Sequence, residues 1–201
     1  MTTVLGFPRS GTHWLRVMLE NVLGEPVVHA HAYPQVVESP HVLIVRDPRD
    51  AFASRCRLRE AVGVRCKMEM EELALFLRGP NPGEPYWRVG WTLYTRKILE
   101  LADRFPHLAP LVRYEALYEA PEAVLARVLA TLGREDVSVA QIAEAIERTR
   151  GVRWDPTDFP ADEDMGRPGK WRTELHEATV RALVEDCGEL MQHLGYEGGV
   201  A

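Results

Sequence analysis

The chain begins with a short apolar run, Thr3-Val4-Leu5-Gly6-Phe7, that passes through Pro8-Arg9-Ser10-Gly11 into Thr12, Trp14, Leu15, Met18, Leu19 and Val22. The run reads as a buried strand, and the later apolar positions recur at helical spacing. Helix starts of this type are common in α/β proteins, and strands alternating with helices imply a parallel sheet. Such a turn aims backbone N–H groups and the helix's positive end at one place, which suits a phosphate or sulfate. The alternative is a plain strand-to-helix turn with no ligand, since helix starts of this type are common in α/β proteins.

The nearest pattern is the phosphate loop G-x4-G-K-[ST]. Here Thr12 stands at the lysine position and the cation comes three residues earlier, at Arg9. The loop is therefore expected to hold an anion without being built like an ordinary ATP loop.

A length of 201 residues predicts one domain, 1–201. The formal charge of -6 argues against a nonspecific nucleic-acid binder, so basic residues at an anion site must be clustered. Cys56, Cys66 and Cys187 are odd in number and form no C-x-x-C pair. They point to a reducing compartment, with no disulfide framework and no zinc site, and each reads as a small apolar filler. The first strand starts too early to leave room for a signal peptide. No apolar run approaches the roughly 18 residues of a membrane span. A soluble, cytoplasmic protein is expected.

Val27-Val28-His29-Ala30 reads as a second strand and His41 to Arg46 as a stronger third. Asp47-Pro48-Arg49-Asp50 is a helix start, with Asp47 as N-cap, Pro48 first and Asp50 in the first turn. A helix follows over Glu69 to Leu77, then a Gly/Pro loop over Arg78 to Pro85. Helical periodicity resumes from Tyr86 to Phe105. Leu108 to Arg113 reads as a parallel strand, with Pro110 counting against its first half. Helices are expected over Pro121 to Leu132, from a Ser138 cap to Thr149, and from a Thr173 cap onward. Trp154 to Lys170 carries five acidic residues, three prolines and two glycines, and reads as a loop. The fold class is α/β, a three-layer parallel sheet flanked by helices, nucleotide-binding and P-loop-like.

Ligands of open parallel sheets sit beyond the carboxyl ends of the strands. The Arg9 loop follows the first strand, His29 and His31 follow the second, and Arg46 closes the third. Ser54 lies eight residues after Arg46, two turns into the next helix, where it could share a second phosphate-like group with that arginine. A salt bridge from Arg46 to Asp47 or Asp50, and a plain helix-surface serine at Ser54, are the alternatives.

Five segments, in order, resemble those of the sulfotransferases that use 3′-phosphoadenosine 5′-phosphosulfate (PAPS). Gly6 to Leu15 is similar to their 5′-phosphosulfate loop, and Val42 to Ser54 to their 3′-phosphate segment. Glu72 to Leu77, the Gly/Pro loop and Trp87 to Trp91 resemble the acceptor-side segment. Val112 to Leu117, with Leu132-Gly133 later, resembles the strand ending in Tyr-Glu, and Gly166 to Arg172 resembles the closing G-x-x-G-x-W-[KR].

The resemblance implies roles. Arg9 stands at the loop cation, usually lysine, that contacts the transferring sulfuryl. Ser10, Gly11, Thr12 and His13 stand where the 5′-phosphate end binds, Trp14 and Tyr114 beside the adenine, Arg46 and Ser54 at the 3′-phosphate. His31 aligns with the catalytic base and His29 with a lysine position, with His29 as the rival base. The family's closing-segment arginine is replaced by Asp164, so Arg167, Pro168 and Gly169 are carried as cofactor-binding residues, Arg167 as the substitute. A further departure is His13 in place of a small hydroxyl residue.

The implied chemistry is in-line transfer of a sulfuryl group from PAPS to a hydroxyl acceptor, or an amine, leaving 3′,5′-bisphosphoadenosine (PAP). A guanidinium and loop N–H groups would stabilise the charge and an imidazole would take the proton. No metal is required. The alternatives are a P-loop small-molecule kinase, opposed by Thr12 at the lysine position and by no evident magnesium carboxylate, and a non-catalytic PAP-binding module. Tyr86, Trp87, Trp91 and Tyr94 are either core or the lining of an acceptor pocket. The acceptor is expected to be a small molecule, with no nucleic-acid or membrane partner.

Overall fold

A computed structural model of the chain describes residues 1–32, 37–61, 69–79, 89–149 and 166–196. Its residues group into two compact units, 1–45 with 97–156 and 46–96 with 157–201.

The first unit contains the sheet. β1 (Thr3–Gly6), β2 (Val28–Ala30), β3 (His41–Val45) and β4 (Leu111–Arg113) pair parallel in the order β2-β1-β3-β4. The sheet is flanked by helices, the α/β class the alternation of elements predicts. From β1 the chain winds outward to β2 and then back across to β3, a reversal of the kind that places ligands at carboxyl ends. Val4, Val42, Ile44 and Val112 lie in the main core, while Leu5 and Leu43, on the alternate face, are equally inaccessible. Burial on both faces is why β3 is apolar from Val42 to Val45.

α1 (Thr12–Leu23), α5 (Tyr114–Glu119), α6 (Pro121–Thr131) and α7 (Val139–Thr149) supply the rest of that core. α1 contributes Leu15, Met18, Leu19 and Val22; α6 contributes Val124, Leu125, Val128 and Leu129; α7 contributes Ile142, Ala145 and Ile146. The Ser138 cap holds: its Oγ accepts from the Gln141 N–H, and Gln141 Oε1 accepts from the Ser138 N–H at 2.9 Å. β4 begins three residues later than predicted, but His41 and Leu43 donate to the carbonyls of Leu108 and Pro110. Pro110 can accept though it cannot donate, which an edge strand tolerates.

In the second unit α2 (Pro48–Ala61), α3 (Glu69–Arg78), α8 (Trp171–Glu174) and α9 (Glu177–His193) bury their own contacts. Phe52 meets Phe76 edge-on at 5.3 Å, Ala53, Trp171 and Val180 cluster, and Arg55 Nε pairs with Glu72 at 2.9 Å. The Thr173 cap is not observed. Thr173 lies inside α8 and donates to the Lys170 carbonyl at 3.2 Å, the chain becomes extended at Leu175, and His176 precedes α9. α4 (Trp91–Arg104) starts later than the predicted Tyr86, and buries Trp91, Tyr94 and Ile98. Tyr86 and Trp87 are outside the described residues, as are Cys66, Trp154 and Asp164. Burial, above all, pushes the Cys187 thiol up to about 12, so it acts as a filler. Among the described residues no helix is long and apolar enough to cross a membrane.

Leu19 is completely buried among α1 and its neighbours. Leu19→Ala is expected to lower the free energy of unfolding by about 2–5 kcal/mol, the range for truncating a core leucine, measured by urea denaturation.

Candidate functional site

The turn from β1 to α1 has the features of an anion cradle. Arg9 has φ +72°, the one non-glycine among the described residues with a positive φ. A left-handed side-chain residue costs of order 1–3 kcal/mol and tends to occur at ligand sites. Ser10 donates its N–H to the Phe7 carbonyl at 3.0 Å, closing the turn. Gly11, at φ +88°, occupies the N-cap without a side-chain cap, and the first turn of α1 holds no acidic residue. A Cβ on Gly11 would lie 2.4 Å from Tyr114 Cδ2, so ring and loop fit only because the residue is glycine. The Ser10 side chain is fully buried, and its Oγ has no hydrogen-bond partner among the described residues. A buried hydroxyl beside an uncapped helix start suits an anion that would supply the missing bond. Thr12 is buried and opens α1, with His13 and Trp14 half-buried after it.

Three imidazoles stand in a row at this end of the sheet. His13 meets His29 edge-on at 5.5 Å, and His29 meets His31 at 5.7 Å. His29 lies inside β2, within the strand predicted over Val27 to Ala30, and is exposed; His31 comes directly after the strand and is half-buried. His31 Nδ1 is 2.8 Å from the Gly6 carbonyl. A carbonyl only accepts, so Nδ1 carries the proton and Nε2 of the neutral ring carries the lone pair. His31 is thus oriented by the last residue of the strand that feeds the loop.

Trp14 and Tyr114 come together at 5.7 Å, tilted by 58°. Tyr118, which sequence reasoning passed over, completes the group at 6.4 Å from Trp14 and 6.5 Å from Tyr114. Its signal was the four-residue spacing from Tyr114, which places both rings on one face of α5. Tyr118 is 40% exposed and Tyr114 only 5%, so the cluster presents an aromatic surface to solvent.

In the second unit Arg46 and Ser54 are both buried. Arg46 Nη2 donates to the Gly166 carbonyl at 3.3 Å. Asp47 accepts the Arg49 N–H at 2.9 Å, the predicted cap, and also grips the Arg49 guanidinium through both oxygens, the shorter contact 2.7 Å. The carboxylate of Asp50 accepts the backbone N–H groups of Gly169 (2.7 Å) and Trp171 (3.2 Å). Arg49 lies 4.0 Å over the Trp171 ring, and Arg172 lies 4.5 Å from the same ring. Arg167 is exposed and Pro168 half-buried; the N–H of Gly169 is committed to Asp50. The sequence presents Asp50 as a helix-start acid or a salt-bridge partner for Arg46. Its second task depends on a segment more than a hundred residues away.

Among the described residues no group of three His, Cys, Asp or Glu side chains could hold a metal ion. No protein-family model matches the chain, and no curated protein matches its sequence. Solved structures do match. A mouse sulfotransferase complexed with PAP superposes with TM-score 0.72 at 19% identity, over 94% of this chain and 84% of that one. A retinol dehydratase in complex with androsterone and PAP gives 0.68 at 16%, over 94% and 80%. A putative steroid sulphotransferase of Arabidopsis thaliana gives 0.67 at 15%, over 98% and 78%. The chain has the fold of these proteins.

Burial, first, lowers the pKa of His31 from 6.5; the charges of His29 and Arg9 act the same way, and the bond to Gly6 opposes them. Above 6.5 the ring is neutral whether folded or unfolded, and the stability it preserves there is lost as pH falls through its depressed value. An NMR titration of the His31 ring is expected to give a midpoint below 6.5. Acid destabilisation below that pH should be blunted in His31→Gln, with His29, also lowered by burial, keeping its share. A midpoint above the ordinary value would overturn the assignment.

Proposed function

We propose that this chain is a PAPS-dependent sulfotransferase that moves a sulfuryl group to a hydroxyl acceptor, or an amine, on a small molecule in the cytoplasm. One observation carries the reading. The carbonyl of Gly6, where β1 enters the anion loop, orients His31 and leaves its Nε2 as the basic atom. Strand end, loop and base are one construction, and the likeness of fold to a sulfotransferase solved with PAP is the setting in which it makes sense.

In this reading Gly11, Thr12 and His13 hold the 5′-phosphate end through backbone N–H groups and Ser10 through its hydroxyl. The Arg9 guanidinium neutralises charge on the transferring group and the leaving oxygen. Trp14 and Tyr114 take the adenine. Arg46 and Ser54 take the 3′-phosphate, with Arg167 standing in for the arginine that Asp164 replaces, and Pro168 and Gly169 completing the closing segment. His31 Nε2 accepts the acceptor's proton as its oxygen attacks sulfur in line and the bond from sulfur to the bridging oxygen breaks. The depressed pKa keeps that nitrogen unprotonated near neutral pH. The transfer calls on no metal.

Calorimetric titration with PAP, 5′-AMP and ATP–Mg²⁺ tests the donor. PAP is expected to bind well ahead of the other two. Preference for ATP–Mg²⁺ would make the protein a kinase, and PAP binding without turnover of labelled PAPS a non-catalytic module. Arg46→Ala should weaken PAP by about 10–100-fold, the worth of a hydrogen bond to a charged group, while hardly affecting 5′-AMP. His31→Ala should lower turnover by ~10²–10⁴-fold, the usual contribution of a positioned base, with PAP affinity nearly intact. Equal activity would pass the role to His29.

A further inference from the structure

The residues around Arg46 form a clamp that the proposed reaction does not by itself require. Arg46 to Asp50 are consecutive, and three of the five reach the segment Gly166 to Trp171. Arg46 donates to the Gly166 carbonyl, Asp50 accepts from Gly169 and Trp171, and the Arg49 guanidinium lies over the Trp171 ring. Asp47 fixes Arg49 by a two-oxygen grip, so the stacked guanidinium is itself held. Gly166 at φ +110° and Gly169 at φ +87° let the segment turn twice within this short span. Asp50 is 2% exposed, and a buried carboxylate that accepts two backbone N–H bonds has little freedom to move.

We propose that Asp50 is a positioning residue for selectivity toward the 3′-phosphate of the nucleotide: by tying Gly169 and Trp171 to the first turn of α2, it sets the Gly166 segment against Arg46 before any nucleotide arrives. The inference rests on the PAPS reading. Arg46 is one of three groups there assigned to the 3′-phosphate, with Ser54 and Arg167, and its Nη2 donates to the Gly166 carbonyl. If the segment drifts, that carbonyl no longer constrains the guanidinium, and the entropy of ordering it returns at binding. The 5′ end is assigned to the Arg9 loop, which is no part of this clamp, so 5′-AMP serves as the reference ligand.

The test is the ratio of PAP to 5′-AMP affinity, by calorimetry, in wild type, D50N and D50A. An asparagine offers one acceptor oxygen for two donors and sets its NH₂ against the second. D50N is expected to lower PAP affinity by about tenfold, within the range for a lost charge-assisted bond, and D50A by more, with 5′-AMP unchanged in both. Wild type that prefers PAP while the variants keep the same ratio, or lose both ligands alike, overturns the inference and leaves the PAPS reading standing. Wild type without any preference for PAP overturns that reading and the inference together. If the variants do not fold, amide exchange of Gly169 and Trp171 in wild type decides. Protection already present without PAP supports a preset segment, and protection that appears only with PAP overturns it.

Discussion

The close approach of β1 to β3 at Gly6 is the constraint on which the rest of the site depends. Gly6 pairs with Ile44, and a Cβ on it would fall 2.7 Å from both the Ile44 carbonyl oxygen and Cγ2, and 2.8 Å from Thr12 Cγ2. No side chain fits there without moving β3 or the start of α1. Because that space is empty, β1 runs flush with its neighbour and the loop turns directly into α1. The Gly6 carbonyl remains able to hold His31. A bulkier residue at this one point would disturb strand pairing, helix entry and the imidazole together.

Carboxylates dominate the chain's charge, yet those described near the proposed nucleotide groups serve as scaffolding. Asp47 holds Arg49, Asp50 holds two backbone amides, and Glu72 holds Arg55. Burial, before any other effect, raises the pKa of Asp50, while the amides of Gly169 and Trp171 and the charge of Arg46 pull it back. The acid is retained against a desolvation cost because it satisfies N–H groups that would otherwise be buried without partners. In a chain with a formal charge of -6, these three acids are committed to two arginines and two backbone amides.

The fold was largely legible in the sequence because its signals are local. Strand β3 is apolar from Val42 to Val45, α7 carries its Ser138 and Gln141 capping box, and the β1 loop announces itself by glycine and serine before an amphipathic helix. The error at Thr173 is also instructive. A hydroxyl residue before an apolar stripe is a good cap by local rules, but Trp171 is drawn into the core with Ala53 and Val180. That burial starts a short helix too early for Thr173 to cap it, and α9 begins without a side-chain cap.

By itself, then, the sequence determined the α/β class, the loop that can cradle an anion and the residue types able to move a proton beside it. These follow from periodicity and from backbone freedom at glycine, which act over a few neighbours. Tertiary structure alone decided that His31 presents Nε2, because the Gly6 carbonyl comes from another strand. It decided that Tyr118 joins Trp14 and Tyr114, and that Trp91 and Tyr94 belong to the core. It also decided that Asp50 reaches forward to Gly169 and Trp171, a partnership written nowhere in its own neighbourhood. Hydrogen bonds and ring contacts between distant segments depend on where folding delivers them, and no local pattern encodes that delivery.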